Sequence, residues 1–240
     1  MTRAELLYAI AAAGANLLGA LAITSRSRWS LRALDAMLSL AAGFILSVAL
    51  LELFPEAIAR GGARAPVVVL VAYLLVHFTQ HTIGRHFHFG EETHEVTQFV
   101  SVSALIGLLM HTFVDGVAVA SSLRVSEALG TLVFLAVLLH KFPEGLAISS
   151  LFLAAGAGRG RAVLAAGALG AATILGVIVT EQLPLLREYG LAISAGVTLY
   201  VGASNLVPEF QAKRGWKIPM SFLLGCGLYF AARSITAGAR

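Results

Sequence analysis

The chain has 240 residues, 58% of them hydrophobic and 12% charged, with a mean hydropathy of +0.84 and a formal net charge of +4. A soluble domain carries about 25% charged residues, and a globule of this length could not cover its surface with so few polar groups. Thinly scattered Lys and Arg exclude a nucleic-acid-binding patch, and the single cysteine, Cys226 in an apolar run, excludes an intrachain disulfide or a CxxC metal site; a polytopic membrane protein is left.

A membrane-spanning helix needs about 20 mostly apolar residues. Eight segments qualify in chain order: 6–24, 34–58, 66–83, 98–123, 127–155, 162–182, 189–210 and 218–232. Charged or Gly/Pro-rich breakers separate them, the one after the sixth being Pro184 to Glu188. Arg3 before an Ala-rich run resembles a signal peptide, but the apolar stretch exceeds a typical h-region and Asn16 interrupts it, so a mature helix is expected. Lipid cannot satisfy free backbone groups, and the ten-residue alternation of a barrel strand is missing. The expected fold is all-α: a single domain over 1–240, a membrane bundle of eight transmembrane helices. With the N-terminus outside, inner loops hold nine Lys and Arg against seven outside, which places both termini outside and the 84–95 loop in the cytoplasm. Nine glycines (14, 19, 43, 107, 116, 145, 167, 170 and 196) let helices approach closely, as a sliding interface would need.

Most charges lie at helix ends, where long side chains reach water. The exceptions concentrate in two segments. The fourth carries His111-Thr112-Phe113-Val114-Asp115-Gly116, the fifth His140-Lys141-Phe142-Pro143-Glu144-Gly145. His111 is 13 residues from Gln98, and His140 is 13 from Glu127, so each lies roughly 20 Å along its helix. The short connection around Arg124 makes these helices antiparallel neighbours, with both histidines at one level. Positions i and i+4 share a helix face. His111 with Asp115, and His140 with Glu144, therefore form two facing blades of one imidazole and one carboxylate each. That donor set suits Zn²⁺, and imidazole also suits Fe, Co, Ni or Cu. Each charge at the bilayer centre costs about 2.5–3.5 kcal/mol on insertion scales, so the cluster needs compensation. A metal supplies it; the alternative is a buried ion-pair network of Lys141 with Asp115 and Glu144. Pro143 cannot donate to the Leu139 carbonyl, and the expected helix break frees that group beside the site.

At these residues the sequence resembles the ZIP (Zrt/Irt-like) divalent metal transporters. His111-x-x-x-Asp115-Gly116 resembles the family's fourth-helix HNxxDG/HNxPEG motif, and His140 to Gly145 its fifth-helix HExPHE/HExPEG motif. Leu51 to Glu56 is similar to the end of the family's second helix, and Tyr200 to Glu209 to its seventh. The resemblance implies gradient-driven movement of Zn²⁺, or a related Cd²⁺, Fe²⁺, Mn²⁺ or Co²⁺, toward the cytoplasm, with no organic cofactor. It implies a transport site of His111, Asp115, His140 and Glu144, alternating access by one helix group against another, and often a homodimer. Thr112 and Lys141 depart from the Asn and acidic residue that help hold a second metal in many members. An ammonium repels a second cation. A single-metal site is expected, with Lys141 in place of the second ion.

Further residues are weighed beside these. Glu52, within the second span, is a candidate to line the route or complete the coordination sphere, against a plain interfacial glutamate. Ser204 and Asn205 are candidates for the pathway, against hydrogen bonding between helices. His77 and His81 form another i, i+4 pair, and His86, His88 and His94 follow amid Glu91, Glu92 and Glu95, as a metal-collecting loop or a solvated connector. An intramembrane metal-dependent hydrolase would use the same donors to activate water, but no HExxH or serine-nucleophile motif accompanies them. A metal-sensing receptor is the third reading. The expected location is the cell membrane, the inner one in a bacterium, with divalent ions and lipid as partners and no nucleic acid.

Overall fold

The computed structural model describes residues 2–25, 31–82, 98–208 and 215–238, and every regular element among them is helical. Helix α1, Arg3–Thr24, starts at a capping box: the Thr2 hydroxyl accepts from the Glu5 N–H at 3.2 Å, and the Glu5 carboxylate accepts from the Thr2 N–H at 2.6 Å. Two otherwise orphaned donors are thereby satisfied. Helix α2 covers 31–61 as an α stretch, Leu31–Val48, a π turn, Ala49–Leu53, and a second α stretch, Phe54–Gly61. Helix α3 is Ala65–Thr82, α4 Gln98–Leu123, α5 Glu127–Ala154 and α6 Arg159–Gln182. Helix α7 joins Pro184–Tyr200 to a second π turn, Val201–Leu206, and α8 is Lys217–Gly238.

Both π turns have a visible cause. Pro55 and Pro208 each lie two residues beyond one, and the residue four positions earlier, Leu51 or Ser204, lies inside it. Proline lacks the N–H for that carbonyl and its ring crowds it, so the turn widens.

Among the described residues, six stretches have the length and apolarity to cross a membrane. The longest, 32–79, is 48 residues and doubles back at Gly62–Arg64, where Gly62 adopts φ +55°. Ala57 and Ala65 meet the start of α7 around Tyr189 and Leu191, while Leu46 and Tyr73 both lie level with its far end, at Gly202 and Ser204. Helices α2 and α3 therefore run in opposite directions.

The helices overrun the apolar limits expected of them. Arg3, Arg159, Arg161 and Arg233 are helical, because backbone hydrogen bonding continues where hydrophobicity stops and long cations reach outward. Pro184, expected as a breaker, instead opens α7; at the first position it has no intrahelical N–H to lose, and the break falls on Leu183 at φ −96°, ψ 117°. Pro143 does not break α5, which runs through it.

The bundle sorts into two sets. Helices α1, α4, α5 and α6 pack most extensively on one another, and α2, α3, α7 and α8 form the other set through the pairs α2–α8 and α3–α7. Where α4 meets α7 and α2 meets α5, the sets share a seam. The glycines expected at a sliding interface lie elsewhere. Gly19 faces the Phe142 and Leu146 backbone, Gly145 faces Asn16, Gly116 faces Gly176, and Gly170 faces Ala13, all inside the first set. Gly43 against Phe222 and Gly196 against Val69 lock the second set, Gly167 touches only the Leu17 side chain, and Gly14 and Gly107 meet nothing within 4 Å. Backbone-to-backbone approach thus fastens each set internally.

Candidate metal centre

The two polar blades come together. One ligand atom from each of His111, Asp115, His140 and Glu144 lies within 4.8 Å of all the others, and all four residues are buried. Four donors around Zn²⁺ at about 2.1 Å would stand roughly 3.4 Å apart, so the group needs only a modest contraction to close on an ion. The antiparallel α4–α5 pair, linked through Ser126, which caps α5 by accepting from the Leu129 N–H at 3.1 Å, sets the two blades at one level.

Asp115 Oδ2 is the hub. The Lys141 ammonium donates to it at 2.6 Å, His140 Nε2 lies 3.3 Å away and His111 Nε2 3.4 Å away. Lys141 also donates to Glu144 Oε2 at 2.7 Å and has 0% exposure. The ammonium thus bridges both carboxylates. The ion-pair network weighed as the alternative to a metal is therefore present, and it shares its two carboxylates with the four candidate donors. His140 Nδ1 lies 2.8 Å from the Ala136 carbonyl, to which it donates, and this leaves the Nε2 lone pair for the site. The two imidazole rings are 5.5 Å apart between centroids. Two buried atoms in the cluster have no partner, His111 Nδ1 and Glu144 Oε1.

A cavity of about 10 Å³ adjoins the donors, about the room one water needs. His111, Asp115 and His140 form its polar wall; Ile45, Val48 and Leu53 from α2, with Thr198 and Val201 from α7, close the opposite side. The centre therefore sits on the seam between the two helix sets. Each π turn contributes a wall residue, Leu53 in one and Val201 in the other.

Other candidates lie elsewhere. Glu52 is not brought to the four: it accepts from the Tyr229 hydroxyl at 2.7 Å and pairs with Arg233 at 3.0 Å. Its place in the π turn of α2 turns it toward α8, where it lines a separate cavity of about 430 Å³ with Glu56 and Arg60. The Ser204 hydroxyl is 2.6 Å from the Tyr73 hydroxyl on α3 and does not line the small cavity; Asn205 shares its π turn, and neither is among the lining residues. Thr112 donates to the Leu109 carbonyl at 3.1 Å and so serves its own helix. His86, His88 and His94, and the side chain of His81, lie outside the described residues. His77 stands edge-on to Tyr200 at 5.8 Å. Thr198, Val201, Tyr229 and Arg233 were not legible as neighbours from sequence. Asn16 carried a signal, a lone amide in an apolar span.

The same region is recognised by comparison with known proteins. The family described as ZIP Zinc transporter matches residues 90–232, more than half of the chain and all of α4 to α7. A search of curated proteins returned no match. The matched range contains both polar blades on the helix pair where the buried donors converge, and this chain belongs to the ZIP zinc transporter family.

Proposed function

We propose that the protein carries divalent cations, zinc foremost, across the cell membrane toward the cytoplasm through one site made of His111, Asp115, His140 and Glu144. The family is one of divalent metal transporters, and the carrying observation is the convergence of these four buried donors from two neighbouring helices. Reading 31–61 and 65–82 as separate crossings and α7 as another gives eight membrane passes, which puts both termini on one side, and the excess of Lys and Arg in the alternate loops favours the outside.

The charge balance favours a single ion. Asp115 and Glu144 give −2 and Lys141 gives +1, so the empty centre holds −1 and a divalent ion brings it to +1. Without the ammonium the empty centre would hold −2 in a low dielectric, and one divalent ion would bring it only to neutrality, with no net positive charge to oppose a second. Lys141 thus takes the place of a second metal. Entry of the ion draws Asp115 and Glu144 toward it while the ammonium keeps its remaining carboxylate contacts.

The two-set packing supports alternating access. The donors all belong to α4 and α5, in the set fastened internally by Gly19, Gly116, Gly145 and Gly176. Their opposite wall belongs to the other set and is apolar except for Thr198, so it offers the ion no charged or imidazole ligand that would hold it across the seam. Movement of one set past the other would carry the site with it.

Zinc uptake into sealed proteoliposomes tests this. Flux is expected with the intact chain and background flux with His140→Ala or Glu144→Ala, provided both variants elute as folded, monodisperse protein. Elemental analysis should give one ion per chain, and two for Lys141→Glu. Folded wild-type protein that moves no divalent ion would refute the transport reading, and two tightly held ions per wild-type chain would refute the role of Lys141.

A further inference from the structure

Asn16 lies in the middle of α1 with 0% exposure, and neither its Oδ1 nor its Nδ2 has a hydrogen-bond partner. Burying an amide unpaired costs about 1–3 kcal/mol, and such groups in folded proteins call for a reason. Packing alone supplies none. The other buried positions near it on this face are Ala9, Ala12, Ala15, Gly19 and Ala20, so an alanine would suit the helix contact without the penalty.

What Asn16 packs against is informative. Helix α1 lies on α5 over Phe142 to Leu146, the segment that carries Glu144. Gly145 touches the Asn16 backbone so closely that a Cβ there would overlap the Asn16 carbonyl oxygen. Glu144, next in sequence, uses Oε2 for Lys141 and leaves Oε1 buried and unpartnered. An amide with two unused N–H donors and a carboxylate oxygen with unused lone pairs are therefore borne by two helices whose backbones touch at Asn16 and Gly145, one residue from Glu144. Helix α1 also lies outside the residues matched to the family.

We propose that Asn16 is a positioning residue of the cation site: when a divalent cation draws Glu144 toward it, the Asn16 carboxamide donates to Glu144 Oε1 and fixes that carboxylate for ligation. The inference rests on the transport-site reading above. It makes the ion a fastener between α1 and α5, because the ligating carboxylate is then held from both helices.

The test uses the full chain in detergent with Co²⁺ alone as the probe, whose visible absorption reports its ligand field. Asn16→Ala is expected to weaken Co²⁺ binding about tenfold or more, the effect typical of groups that orient a metal ligand, and to change the absorption band. Asn16→Ser replaces it if the alanine variant does not fold. In a Glu144→Gln background the same substitution should have no further effect, since the two act as one unit. Wild-type affinity and an unchanged band in the Asn16 variant overturn the proposal, as does an equal loss in the Glu144→Gln background, which marks a structural role. A wild-type chain that shows no Co²⁺ band overturns the transport-site reading itself, and is distinguished by the intact protein rather than the variant.

Discussion

The two helix sets handle polarity in opposite ways. In the set of α1, α4, α5 and α6, ionisable groups are drawn inward: Asp115, Lys141 and Glu144 are buried with both histidines, and Asn16 is buried beside Gly145. In the set of α2, α3, α7 and α8, the carboxylates stay at the margin. Glu52 is matched by Arg233, whose side chain is 53% exposed, and Glu56 by Arg60 at 2.6 Å, one turn along its own helix. Glycine contacts between backbones fasten both sets, but in the first they surround a polar interior, whereas the second contributes a largely apolar wall bent by two π turns. A buried charge cluster survives only where geometry is held tightly, because loosening it would leave charges uncompensated. The second set buries no such cluster, and the wall it turns to the centre is largely apolar.

This contrast can be broken most severely at its centre. Asp115→Ala removes the hub that Lys141, His140 and His111 share and leaves the ammonium with one carboxylate. Loss of about 3–5 kcal/mol of stability is expected, seen as a large drop in the thermal unfolding midpoint in detergent. The same substitution at Glu56 should cost below about 1 kcal/mol, as for other exposed pairs. Equal losses at the two positions would erase the distinction between the sets.

Next in size is the fastening inside the first set. Gly145→Ala places a methyl group against the Asn16 backbone and Gly176→Ala places one against the Phe113 carbonyl. Each should destabilise by about 1–3 kcal/mol, since backbone cannot yield as a side chain can. Gly190→Ala lies on the seam and meets the Ser121 hydroxyl, a group that can rotate away. Its expected effect on stability is under about 1 kcal/mol, with a fall in zinc uptake as the larger signature. A seam glycine that costs more stability than Gly145 would show that the sets are fastened to each other instead.

The smallest effects sharpen the contrast from the other side. Glu52→Gln loses an ion pair exposed at its Arg233 end, so a change below about 1 kcal/mol is expected. Zinc affinity by calorimetry should not move, and a large loss would return Glu52 to the coordination sphere. Ser204→Ala removes one hydroxyl contact with Tyr73, a loss of about 1 kcal/mol with zinc affinity unchanged.

Much of this was present in the sequence. Low charge and high hydropathy required a membrane protein, and the helix repeat put His111 with Asp115 and His140 with Glu144 because spacing of four residues is a property of one helix. The short link through Ser126 then made those two helices neighbours, so the donor set followed from local rules alone. Lys141 between two acids three and twenty-six residues away was also foreseeable, since no other group in the cluster carries a positive charge at all pH values near neutrality.

Tertiary structure decided the rest. Whether Glu52 turns to the centre or to Tyr229 depends on how α2 is rotated, and that rotation is set by a π turn and by packing on α8, some 180 residues away. The glycines have one appearance in sequence and two uses in space, because a gap in a side-chain stripe does not say which helix fills it. Asn16 shows the same limit: sequence marks it as a polar residue in an apolar span, but only the packing of α1 on α5 places its backbone against Gly145, one residue from Glu144.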